Sequence, residues 1–349
     1  MSDEPAPEPS RRSSSISPMV VVAALLGAVL FAYTIRQTGP TTILDGLHRV
    51  GWGFLVVLAL SGMRFVFRAW AWSLCTEGPA RLGIRDTFPA MLTGDALGNL
   101  TPLGLFVSEP TKAVFVQHRV PLMTAVSGIA IENLLYTLTV SLMIAGGTVA
   151  LLLSFTVTAA LEYVTIVAAA GMVAVLGVTA WVLGRQVRIV TPLIDWLHRR
   201  QLAPAALALR LEKLQTLEAA VYGFHVRHPH RLLPVLGLEG AYHAAGVVEV
   251  YVTLSLLTPP PTWLIAFILE SVNRLINVVF KFVPMRLGVD EFGTKQFADV
   301  LGYSGDAAVT LALVRKIRML FWTAIGLAFL ARRGLGTRLH ASDAVTLSK

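Results

Sequence analysis

The chain has 349 residues, of which 55% are apolar and 14% charged, with 29 Lys and Arg against 21 Asp and Glu and a formal net charge of +8. Soluble domains carry roughly 25% charged residues, so this composition, with a mean hydropathy of +0.66, excludes a soluble enzyme and indicates an integral membrane protein. A single cysteine, Cys75, leaves no internal disulfide or thiolate zinc cage, and the histidines show neither HxxxH nor HExxH spacing.

In chain order, residues 1–18 are rich in Pro, Ser and Glu and read as a disordered cytoplasmic tail. The first apolar run, 19–35, lacks a small-x-small cleavage site and is expected to stay as an uncleaved helix. The run 52–75 carries Arg64 and Arg68 on one face near its end, where snorkelling to an interface would hold them. Further spans are expected at 122–153, 161–183, 232–257 and 307–330, six in all, each long enough for a hydrocarbon core of ~30 Å. They divide the chain into a first membrane half, 19–184, and a second, 232–331, followed by a cytoplasmic tail, 332–349.

The linker 185–231 is the most basic stretch: Arg185, Arg188, Arg199, Arg200, Arg210, Lys213, Arg227 and Arg231 face only Asp195, Glu212 and Glu218. The positive-inside rule makes it cytoplasmic and, counting outward, places both termini inside. The basic surplus thus points to anionic headgroups rather than nucleic acid. Within the linker, residues 204–221 space leucines as one face of an amphipathic surface helix.

Two stretches, 88–117 and 263–302, are apolar yet broken by Pro, Gly and charge. In the first, Asp95 and Asn99 stand beside Gly94 and Gly98, ahead of Thr101-Pro102 and Glu109-Pro110-Thr111-Lys112. In the second, Glu270, Asn273, Arg274, Asn277 and Lys281 share an arc of about 100°, ahead of Pro284 and Gly288. Interrupted segments in matching places of two halves point to a transporter site, so both are read as re-entrant helical hairpins. A common offset of 183 lays Thr111-Lys112 on Thr294-Lys295 and Glu132 on Arg315. With the opposite entry sides implied by the charge count, this is an inverted repeat, and the fold class is all-α and polytopic.

An ionised group at the centre of a spanning helix costs roughly 2.5–3.5 kcal/mol, so Glu132, Arg315 and Arg318 need partners or water. Either Glu132, Arg315 and Lys112 line a central cavity that attracts a lipid phosphate, or Glu132 and Arg315 form a structural ion pair. Glu109 and Glu291 follow the helix breaks and suit the freed backbone donors of the next helix, or a headgroup role. Glu239, Tyr242, His243, Gly246 and Glu249 share one face of the fifth span, as a proton relay, an acid-base pair or an interhelical hydrogen bond. The cavity candidates are therefore Asp95, Asn99, Glu109, Lys112, Glu132, Glu239, His243, Glu270, Arg274, Asn277, Lys281, Glu291, Lys295, Arg315 and Arg318.

Thr101-Pro102 followed by Ser108-Glu109-Pro110-x-Lys112 resembles the TP…GGEP-x-R/K segment of flippase-like membrane proteins related to the transmembrane domain of lysylphosphatidylglycerol synthase. Pro284…Gly288-Val289-x-Glu291 is similar to that family's PxGlGxxE segment, with the glycine pair diluted to Met285-Arg286-Leu287-Gly288. The Arg315…Trp322…Gly326 helix matches as well, and Arg68-Ala69-Trp70-Ala71-Trp72 does so more loosely. The resemblance covers about 19–330 and implies lipid translocation or the handling of lipid-linked intermediates, the expected cargo being a phospholipid or polyprenyl-phosphate-linked molecule. No aminoacyl-transfer domain follows the last span, and no nucleotide loop or metal cluster is present. Neither cofactor nor lysyl transfer is therefore expected. The alternatives are a membrane-embedded lipid-modifying enzyme using Glu239 and His243, and an accessory scaffold for a biosynthetic partner.

Overall fold

A computed structural model describes residues 40–346 together with 32, 33 and 36, apart from 79–81, 102–103, 186–191, 193–195, 197–199, 201–210 and 281–282. The expected first span apart from residues 32 and 33, the start of the amphipathic segment and Lys281 fall outside the described residues. Those residues form eleven α-helices and no strand: α1 (Pro40–Val50), α2 (Gly53–Cys75), α3 (Ile84–Leu100), α4 (Gly104–Val116), α5 (Leu122–Ser154), α6 (Ala159–Arg185), α7 (Leu211–Arg227), α8 (Pro229–Leu257), α9 (Trp263–Val279), α10 (Val289–Val300) and α11 (Gly305–Thr346). A single 3-10 turn, Pro284–Arg286, joins α9 to α10.

Stretches within α2, α5, α6 and α8 are long and apolar enough to cross a membrane. Only 6% of the α6 stretch, with mean hydropathy 2.1, is buried, so its surface suits lipid rather than protein. The expected span at 307–330 lies in α11, where Arg315, Lys316 and Arg318 interrupt the apolar run. The multi-pass membrane character stands on the other four.

The two broken segments form short helix pairs, α3 with α4 and α9 with α10. At 17 and 13 residues in the first and 17 and 12 in the second, none exceeds ~26 Å in length, short of a ~30 Å hydrocarbon core. Local chemistry fixes their ends. Gly83 N donates to Asp86 Oδ2 (3.3 Å) at the start of α3, and Thr262 Oγ1 accepts from Ile265 N (3.3 Å) at the start of α9. Glu291 Oε2 accepts from Gly288 N (2.9 Å) at the start of α10, so this carboxylate meets the expected backbone role. Glu109 does not: it sits midway along α4, and its partner is Lys112.

The order long, short, short, long occurs twice, as α2–α5 without interruption and as α8–α11. The two sets pack reciprocally. α2 lies on α8, α3 lies on α11 and α9 lies on α5, while within each set the first helix packs on the second, the second on the third and the third on the fourth. Exchanging the sets maps these pairs onto one another. α9 is buried without a break from Ile268 to Ile276, the mark of a helix enclosed by others. Its charged and amide side chains are thereby held inside the bundle.

Close approach of α3 and α11 requires Gly326. A Cβ there would strike the carbonyl oxygen of Leu92 and the side chain of Ala96. One turn earlier on α11, Trp322 Nε1 donates to Ser61 Oγ of α2 (2.7 Å).

Candidate functional site

A cavity of about 750 Å³ opens where the two helix sets meet. Eight cationic side chains line it: Arg64 and Arg68 of α2, Lys112 of α4, Arg274 of α9, Arg286 of the connecting turn, and Arg315, Lys316 and Arg318 of α11. Three carboxylates share the lining, Asp95, Glu109 and Asp290. Four more, Glu132, Glu249, Glu270 and Glu291, are buried behind it as partners of the cations.

On the first-set side, Arg68 binds Glu132 (Nη2 to Oε1, 2.6 Å), donates to Asn133 Oδ1 (3.3 Å) and lies over the Tyr136 ring at 4.3 Å. Lys112 Nζ binds Glu109 (2.8 Å) one turn away. Asp95 accepts from Asn99 Nδ2 (2.9 Å).

The second-set side is denser. Glu270 takes Arg274, Arg315 Nη2 (3.1 Å) and Arg64 Nη2 (3.5 Å). Glu249 takes Arg64 Nη1 (3.1 Å) and Arg318. Tyr242 accepts from Arg274 Nη1 through its hydroxyl (2.7 Å) and offers its ring face to Arg64 at 4.6 Å and Arg274 at 4.9 Å. Gly246 lets α8 come this close, since a Cβ there would enter the Glu270 carboxylate. Around the turn, Arg286 Nε binds Asp290 (3.3 Å) and Lys316 Nζ binds Glu291 (2.7 Å).

The turn is conformationally costly. Met285 (φ 52°) and Arg286 (φ 48°) both hold left-handed backbone, a region that costs an L residue roughly 1–2 kcal/mol. Glycine in the resembling segment would avoid that cost, and Arg286 instead places a guanidinium on the cavity wall.

Of the residues singled out from sequence, Asp95, Asn99, Glu109, Lys112, Arg274, Asn277, Arg315 and Arg318 line the cavity, and Glu132, Glu270 and Glu291 hold its cations from behind. Lys295 lies instead beside Gly305. Glu239 and His243 are buried and do not line the cavity; His243 packs behind it, where Nε2 meets Thr139 Oγ1 (3.2 Å) on α5 and the ring stacks on the lining residue Tyr136. The Glu132–Arg315 pair, the second of the two alternatives, is not formed. Each residue belongs to a separate network, because α2 brings Arg68 to Glu132 while Glu270 claims Arg315.

Arg64 and Arg68 correct the snorkelling expectation. They turn inward, because carboxylates and tyrosine faces give their charge a better partner than an interface reached at the end of a stretched chain. Their spacing of four on an apolar helix was the available signal. Arg286, Asp290 and Lys316 also join the site unforeseen.

The family model for the lysylphosphatidylglycerol synthase TM region matches residues 20–326. No curated protein and no solved structure matches the chain.

Proposed function

The chain belongs to the lysylphosphatidylglycerol synthase transmembrane-region family, membrane domains of lipid-related function, and from that premise we propose that it translocates an anionic lipid or lipid-linked intermediate between the leaflets of the cell membrane. The cavity lining carries this reading: eight cationic side chains from both helix sets face one volume of about 750 Å³. That space suits a phosphorylated headgroup, with the acyl or polyprenyl chains left in lipid.

The reciprocal packing supports an inverted repeat. In it, α3–α4 and α9–α10 are re-entrant hairpins entering from opposite sides, and the two sets rock around a midplane site. The basic linker, 185–231, supports a cytoplasmic placement of that loop and of both termini. A proton gradient, the membrane potential or downhill exchange supplies the driving force. A biosynthetic enzyme that delivers or consumes the lipid is the partner this role calls for. Translocation is preferred over a lipid-modifying enzyme because Glu239 and His243, the acid-base candidates, lie off the cavity.

Leaflet exchange of fluorescent phosphatidylglycerol and of a neutral lipid in proteoliposomes tests the reading. The expected result is exchange selective for the anionic lipid and reduced at least tenfold by Arg315→Ala in folded protein. Absence of exchange for every anionic lipid tried, or exchange indifferent to Arg315→Ala, would refute it.

A further inference from the structure

The ion pairs around the cavity do not all balance. Lys112 with Glu109, Arg68 with Glu132, Arg286 with Asp290 and Lys316 with Glu291 each join one cation to one carboxylate. Where α2 meets the second set, by contrast, four arginines, Arg64 of α2 with Arg274, Arg315 and Arg318, share two carboxylates, Glu249 and Glu270. This cluster carries a local surplus of two positive charges. Arginine keeps its proton in proteins, so deprotonation does not relieve the surplus; an incoming anion does.

Hydrogen bonding points the same way. Arg315 Nη1 and Arg274 Nε have no hydrogen-bond partner among the described residues, although their side chains are only 9% and 7% exposed. Both residues line the cavity. Buried guanidinium donors left open are costly, and phosphate oxygens match their fork geometry. Asn277, on the second-set wall, also carries a buried, unpartnered Oδ1, an acceptor suited to a phosphate hydroxyl. Asp95, on the first-set wall, is the one lining carboxylate outside an ion pair among the described residues.

We propose that the Arg64–Arg274–Arg315–Arg318 cluster is a site for a terminal phosphate, the phosphomonoester or diphosphate end of a lipid, taken in preference to a phosphodiester headgroup. The argument is charge matching: a phosphomonoester carries about 1.5–2 negative charges near neutral pH and offsets the surplus, whereas a phosphodiester brings a single charge and leaves part of it standing. The proposal deepens the translocation reading, since it assumes that the cavity receives lipid headgroups.

Binding of short-chain phosphatidic acid, phosphatidylglycerol and phosphatidylethanolamine to the purified full chain in detergent tests it without any variant. The expected result at pH 7.5 is affinity for phosphatidic acid at least tenfold above that for either diester. The preference should shrink at pH 5, because the second phosphate proton returns near about pH 6. Arg315→Gln should weaken phosphatidic acid binding at least tenfold, and the remaining arginines keep Glu270 paired; Arg119→Gln, in an outer pair with Asp86, should leave binding unchanged. Equal affinity for phosphatidic acid and phosphatidylglycerol, tighter binding of phosphatidylethanolamine, or a preference independent of pH would overturn the proposal. Selective binding without leaflet exchange would remove translocation and leave the site standing. Exchange of both anionic lipids with no binding preference would do the reverse.

Discussion

Glu270→Gln is the substitution that bears hardest on the buried network. Glu270 is 1% exposed, accepts from Arg274 and Arg315 and forms an ion pair with Arg64. Glutamine keeps its volume but removes its charge. Glu249 would still hold Arg64 and Arg318, whereas Arg274 would fall back on Tyr242, and Arg315 would lose its direct ion pair and keep only the more distant attraction of Glu249 and Asp290. The local surplus rises from two charges to three. Removing one partner of a buried ion pair costs about 3–5 kcal/mol, and the wide sharing of this carboxylate places the expected loss in that range. Glu132→Gln should cost less, about 1–3 kcal/mol. Its partner Arg68 is 18% exposed and keeps Asn133 and the Tyr136 ring. Thermal unfolding in detergent reads the difference. Adding Arg315→Gln to Glu270→Gln should recover part of the loss, because it withdraws the stranded cation. A Glu270→Gln protein as stable as wild type, or a double variant less stable than additivity predicts, would refute the reasoning.

Gly326→Ala should destabilise by about 1–3 kcal/mol, the cost of overpacking, because its methyl would enter the Leu92 carbonyl; Gly171→Ala, with open space around it, should not lower the unfolding temperature in the same assay. Met285→Val should cost about 1–2 kcal/mol, since a β-branched residue fits φ 52° poorly, whereas Met285→Gly should hold stability within about 1 kcal/mol. Trp322→Phe and Ser61→Ala each remove the 2.7 Å hydrogen bond between α11 and α2. Each should cost about 1 kcal/mol, and in a double-mutant cycle the second substitution should cost little once the first is made.

The parts of the fold that were legible in the sequence were those written in local chemistry. Pro102, Pro284 and Gly288 marked the breaks that leave α3–α4 and α9–α10 as short pairs, and the four-residue spacing of Glu270 and Arg274 suited an ion pair as well as a ligand site; the pair is formed. Glu291 could be assigned to a helix start because its partner, Gly288 N, lies three residues away. What escaped was set by partners far along the chain. Arg64 meets Glu249 across 185 positions, and apart from its four-residue spacing from Arg68, nothing near Arg64 distinguishes an inward arginine from one that reaches for an interface. The alternative of a Glu132–Arg315 pair shows the same limit. The offset that aligned the two residues located them on corresponding helices, α5 and α11, but corresponding positions in two packed sets need not touch. Instead, Glu132 on α5 pairs with Arg68 on α2, and Arg318 on α11 pairs with Glu249 on α8, the same helix-to-helix contact with the charges exchanged. Arg286 looked like a dilution of a glycine motif, and only the position of the turn against the cavity shows that its guanidinium is part of the lining.

Accessibility of the cavity from both membrane faces, and its closure by anionic lipid, tests the central claim most directly. The only cysteine, Cys75, is buried, so a Cys75→Ala background carrying Asn99→Cys or Asn277→Cys reports on the cavity alone. In oriented proteoliposomes, an impermeant thiol reagent is expected to label both positions from either side. Phosphatidic acid should slow that labelling at least fivefold, and phosphatidylcholine should leave it unchanged. Labelling confined to one face, or labelling that anionic lipid does not slow, would contradict the account.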